Sequence, residues 1–129
     1  MCKTIGIGTD LCRIDRIEKA IEKEHFYTRV FSEEERAYLE TKGKQKGASA
    51  AAMFAAKEAV AKALGTGFAK GVSVSDIRVT HDELGAPGVQ LFGGAAARMQ
   101  ALGADQVLLS LSHEGDMALA FALLQACGE

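Results

Sequence analysis

The chain has 129 residues, 48% hydrophobic and 25% charged, which supplies the core and solvated surface of one ordinary domain and not of several. Its formal net charge of −2 excludes the global basic field that non-specific nucleic-acid binding requires. No apolar run reaches membrane-spanning length, and the N-terminus reaches Asp10 too soon for a signal peptide, so the expected setting is cytoplasmic, without membrane or nucleic-acid partners.

In chain order, "KTIGIGTD" at 3–10 alternates Ile5 and Ile7 with Thr4, Gly6 and Gly8. That is a strand pattern with one bare face, which Asp10 shares. Leu11, Ile14, Ile17 and Ile21 then recur at helical spacing, with Arg13, Arg16, Glu18 and Lys19 on other faces. Asp10 stands where strand hands over to helix, a position suited to an N-cap. Ser32 followed by Glu35 is a capping-box pattern and opens a second helix. After the basic loop "KGKQKGAS" at 42–49, a third helix runs from near Ala50 to Leu64, and Gly65 is its expected stop. A strand over 72–81, the turn "HDELGAPG", the strand "VQLF" and a short helix follow. Two apolar runs flanking His113–Asp116 read as a closing hairpin. The order β-α-α-α-β-β-α-β-β, with strands clustered late on short turns, favours an α+β fold over a doubly wound one. The antiparallel sheet packs on the long central helix, and residues 1–129 form one domain. Cys2, Cys12 and Cys127 form no C-x-x-C pair, and an odd, scattered set fits free thiols in a reducing compartment.

"FAAKEAVAKALGTG" at 54–67 carries the densest chemistry. Glu58 and Lys62 are four apart and share a helix face. They form either an exposed ion pair or, given the alanines packed around them, a charged stripe facing a cleft. Gly65-Thr66-Gly67 is either a plain helix stop or a turn that admits close backbone approach by a phosphate. Because it follows a helix C-terminus, whose partial charge is negative, a phosphate there needs explicit cations, with Lys62 and Lys70 nearest. Asp10 caps a helix or, converging with Glu58, completes a two-carboxylate Mg²⁺ site. His113 is a turn residue, a phosphate ligand or a proton relay. His25 and His81 have no companions at ligand spacing and read as surface residues.

"IGIGTDLCRIDRI" at 5–17, the helix motif at 54–67 and "LSLSHEGDMALAFALL" at 109–124 together resemble the small single-domain 4′-phosphopantetheinyl transferases of the holo-acyl-carrier-protein synthase class. The match runs through the whole chain in order and spacing. The resemblance implies transfer of phosphopantetheine from coenzyme A to a serine of acyl carrier protein, releasing adenosine 3′,5′-bisphosphate, in support of fatty-acid biosynthesis. It implies Mg²⁺ on Asp10 and Glu58 and an active-site lysine at Lys62. It also implies coenzyme A contacts from Gly65, Thr66, Gly67 and His113, a carrier-docking surface at Arg13 and Arg16, and a homotrimer with a site at each subunit boundary. The chemistry of the residues agrees: attack of a hydroxyl on a pyrophosphate needs charge neutralisation and alignment, without a covalent intermediate. Lys57 and Lys62 are expected to meet phosphate charge. Glu58, directly or through a water, is the candidate base. One departure stands out. Met53 occupies a position where many relatives carry a phosphate-binding arginine, and Lys42, Lys44 or Lys46 is the expected substitute. The competing reading is a non-catalytic coenzyme A or nucleotide-binding module.

Overall fold

The computed structural model describes residues 1–128. The elements are β1 (Lys3–Arg13), α1 (Ile14–Ala20), α2 (Glu24–Val30), α3 (Glu33–Glu40) and α4 (Lys46–Ala63), then β2 (Ile77–His81), β3 (Pro87–Leu91), α5 (Gly93–Ala101), β4 (Gln106–Glu114) and β5 (Met117–Ala126). β1, β5 and β4 pair antiparallel in that order, and β2 and β3 form a separate hairpin. The expected α+β architecture holds, with α4 lying across the sheet.

Small residues permit that crossing. On β5, Ala118, Ala120 and Ala122 are fully buried, as are Ala51, Ala55 and Ala59 on α4. The bare face of β1 meets the same helix: a Cβ on Gly8 would collide with the Ala59 carbonyl, and one on Gly6 with the Ala63 carbonyl. The glycines set how closely strand and helix approach, and Asp10, two residues beyond Gly8 on the same face, is thereby brought to the helix.

Several expectations change. β1 does not end at Asp10 but continues to Arg13, because Asp10, Leu11, Cys12 and Arg13 stay in register with Ala120, Leu119, Ala118 and Met117. The ladder outweighs the helical spacing, so Asp10 caps nothing and Arg13 precedes α1. The long first helix is two short ones, broken between Ala20 and Glu24. Helix α4 begins at Lys46 rather than near Ala50, and the strand expected from 72 begins at Ile77 after a 3-10 turn at Val74–Asp76. Finally, Cys2 and Cys127 are joined by a disulfide and only Cys12 is free. The Lys3–Ala126 pairing puts the two chain ends side by side, a proximity across 125 residues of sequence.

Candidate active site

The seam between β1 and α4 collects Asp10, Glu58 and Lys62. The Lys62 Nζ donates to Asp10 Oδ1 at 3.2 Å and to the Thr9 carbonyl at 3.0 Å. Glu58 is half-buried beside them. Its pKa is raised, first by burial and then by the Asp10 carboxylate, with Lys62 opposing. One cation thus serves two carboxylates, and the cluster is short of positive charge. Two hard oxygen donors that repel each other at a solvent-reaching seam fit a hard divalent cation such as Mg²⁺, which takes few protein carboxylates.

Lys57 does not join them, contrary to expectation. Its side chain is 1% exposed; Nζ donates to Glu35 Oε1 at 3.0 Å and to the Ile77 carbonyl. Glu35 also accepts from Ser32 N at 2.8 Å, the capping box read from the sequence, and from Val79 N at 2.7 Å. One turn position along α4 is enough to rotate Lys57 by about 100° from Glu58, into α3 and β2. Its pKa is lowered, principally by burial. Lys57 is a core residue and reaches no phosphate.

A second constellation lies across α4. A cavity of about 510 Å³ is lined by His113 and Leu111 of β4, Ser49 of α4, Lys42, Tyr38 and His81. Ser49, nine residues before Glu58, is on the opposite side of the helix. Lys42 also stands 4.7 Å over the Tyr38 ring, and His81 stacks on that ring at 4.0 Å. His81 is therefore a pocket residue, not a surface one; burial and then Lys42 push its pKa down. Of the three lysines expected to replace an arginine at position 53, only Lys42 lines this cavity. Lys46 is bound to Glu40 at 2.6 Å, Lys44 lines a different hollow with Glu18 and Glu22, and Met53 itself is buried.

The glycine turn closes α4 as expected: Gly65 has φ +85° and Gly67 +59°. Their N–H groups are spent on the helix, however, donating to the Lys62 and Ala61 carbonyls at 2.9 and 3.1 Å. Arg13 makes a two-bond exposed pair with Asp15, at 3.1 and 2.9 Å, and it stands at the end of β1 rather than on α1. Arg16 is exposed on α1.

The model of the 4′-phosphopantetheinyl transferase superfamily matches residues 6–122. A holo-acyl-carrier-protein synthase of Vibrio parahaemolyticus is 45% identical over 95% of this chain and 98% of that protein. One from Clostridium acetobutylicum is 44% identical over 93% and 96%. Among solved structures, the acyl carrier protein synthase of Plasmodium yoelii with ADP bound superposes with a TM-score of 0.85, 33% identity and 99% of each chain covered. The Helicobacter pylori holo-acyl-carrier-protein synthase in complex with coenzyme A gives 0.79, 32% identity, and 92% and 98% coverage.

Proposed function

The chain belongs to the 4′-phosphopantetheinyl transferase superfamily, and on that premise we propose that it moves the 4′-phosphopantetheine arm of coenzyme A onto a serine of apo acyl carrier protein, releasing adenosine 3′,5′-bisphosphate. The observation that carries the mechanism is the meeting of Asp10, Glu58 and Lys62 at the β1–α4 seam. Asp10 and Glu58 hold Mg²⁺, which when bound supplies neutralisation of the pyrophosphate charge. Lys62 orients Asp10 and turns its remaining N–H toward a phosphate oxygen. Glu58, directly or through a water, accepts the serine hydroxyl proton as the nucleophile attacks.

One nucleotide phosphate meets His113 and Lys42 in the cavity on the other flank. Within one chain a helix about 10 Å across stands between the two constellations, yet both serve one nucleotide. That favours a site shared by two copies, His113 and Lys42 of one with Asp10, Glu58 and Lys62 of the next. The outer face of the sheet supports the same assembly: Ile7, Leu11, Leu108, Leu119 and Phe121 are between 40% and 61% exposed, a contiguous apolar patch of the kind that marks an interface. The assembly is the homotrimer that the family resemblance implies. Arg13 and Arg16 dock the acidic carrier protein; the exposed Arg13–Asp15 pair contributes little stability and is exchangeable for a partner carboxylate. Coenzyme A and carrier protein as substrates point to the cytoplasm and to fatty-acid biosynthesis.

The test is intact-mass analysis of an apo carrier protein incubated with the chain, coenzyme A and Mg²⁺. A gain of about 340 Da, one phosphopantetheine arm, that disappears with EDTA is the expected result. No gain with several carrier proteins, despite coenzyme A binding, leaves a binding module in place of the transferase.

A further inference from the structure

Arg98 is a half-buried cation that none of the roles above uses. From α5 its Nε donates to the Leu64 carbonyl, the C-cap of α4, at 2.9 Å. A Cβ on Gly65 would lie 3.4 Å from its Nη2, so the guanidinium lies alongside the glycine turn. Among the described residues no carboxylate comes within ion-pair distance of it. It lines a cavity of about 480 Å³ with Gly65, Thr66, Lys70, Gly94 and Ala97. That lining holds two cations and no acid.

The turn poses an electrostatic problem that these cations answer. It sits at a helix C-terminus, where the exposed carbonyls carry partial negative charge. The N–H groups of Gly65 and Gly67 already close the helix, so the backbone offers an anion little. Lys62 is shared with Asp10 and the Thr9 carbonyl. Positive charge at the turn must come from elsewhere. Arg98 occupies one terminal carbonyl, and among the described residues its other nitrogens make no hydrogen bond; Lys70, exposed and in the left-handed region at φ +57°, lines the same cavity.

We propose that Arg98 is a positioning residue of the transferase site: it clamps the end of α4 through Leu64 and, with Lys70, reverses the local potential so that a phosphate of coenzyme A can lie against Gly65–Gly67. The inference rests on the transferase reading for the identity of the anion. It adds to that reading a residue on α5, outside all three motifs that carry the family resemblance.

The experiment compares the unsubstituted chain with Arg98→Met, Arg98→Lys and Lys70→Asn, the last chosen because asparagine tolerates the left-handed conformation. Coenzyme A affinity is measured by calorimetry without carrier protein, at fixed Mg²⁺ and rising NaCl, alongside KM for coenzyme A and for carrier protein. Arg98→Met is expected to weaken coenzyme A binding about 5-fold, the scale of a charge at a helix terminus, to flatten the salt dependence and to leave carrier KM unchanged. Arg98→Lys restores the salt dependence and part of the affinity. Lys70→Asn, on an exposed segment, shifts in the direction of Arg98→Met by less. Unchanged affinity and salt dependence in both Arg98→Met and Lys70→Asn overturn the proposal, even if Arg98→Met melts earlier, since that is a clamp without an electrostatic role. Arg98-dependent binding in a chain that transfers nothing to carrier protein supports the assignment of Arg98 while sinking the transferase reading.

Discussion

Lys57 and Glu58 are neighbours in the chain and have opposite surroundings. Lys57 turns into α3 and β2, where Glu35 and the Ile77 carbonyl accept its hydrogen bonds and Glu35 is itself held by two backbone N–H groups. Glu58 turns toward β1 and finds a second carboxylate, with Lys62 the one cation among the three groups. Burial disfavours charge at both, lowering the pKa of one and raising the other. The inner pair has used its bonding capacity on the fold. The outer cluster has capacity left over, and leftover charge at a seam open to solvent is what a metal and a pyrophosphate can use.

Two substitutions test whether that division is real. Glu58→Gln removes an uncompensated charge. Transfer is expected to fall about a thousandfold, at the upper end for losing one electrostatic stabiliser, while the melting temperature holds or rises because the repulsion with Asp10 is gone. Lys57→Met is expected to do the reverse. It leaves the Glu35 carboxylate buried without its cation, a loss of about 3–5 kcal/mol in urea unfolding, with kcat per folded molecule and coenzyme A affinity retained. Adding Glu35→Gln returns part of that loss, since the amide oxygen still accepts one backbone N–H. If Lys57→Met instead raises KM for coenzyme A and leaves stability alone, the comparison breaks and Lys57 returns to the phosphate site.

The same division explains what could be read from the sequence. The Ser32–Glu35 box, the Gly65 stop, the glycine face of β1 and the terminal hairpin each depend on residues a few positions apart, and all four stand in the structure. The fate of Lys57 depends on Glu35, 22 residues away, and no local pattern tells a buried lysine from an exposed one on an alanine-rich helix. The start of α1 was masked because Leu11, Ile14 and Ile17 fit a helical period, whereas pairing with β5 lies more than a hundred residues downstream. The Cys2–Cys127 disulfide follows from that same pairing. Asp10, Glu58 and Lys62 were named through the resemblance of the motifs that hold them; that Asp10 meets the helix rests on the close approach of Gly8 to Ala59, which spacing alone does not show. Tyr38 and His81 were not so named, because α3 and β2 meet only in the fold; Lys42 was one of three lysines expected there, and the fold alone singles it out. The signal available was weak: aromatic, basic and histidine residues without partners at short range.

His81 offers the finest test, because it lies between the two extremes. It is half-buried and stacked on Tyr38, with Lys42 nearby raising the cost of its charge and with Glu35 and Asp82 acting weakly the other way. Its folded pKa lies below the ordinary histidine value, so the unfolded chain takes up the proton first. Stability from this residue is therefore intact above about pH 6.5, the unperturbed value, and is lost as pH falls from there through the lowered folded pKa. Subtracting the pH–stability curve of His81→Gln from that of the unsubstituted chain isolates the effect from His113 and the carboxylates, and the difference should slope downward toward acid. Adenosine 3′,5′-bisphosphate in the cavity adds negative charge beside His81, so its presence should flatten or invert that slope. A slope unaffected by the nucleotide means that its phosphates bind away from His81 and Lys42, and that the cavity across α4 is as closed to function as the Lys57–Glu35 pair.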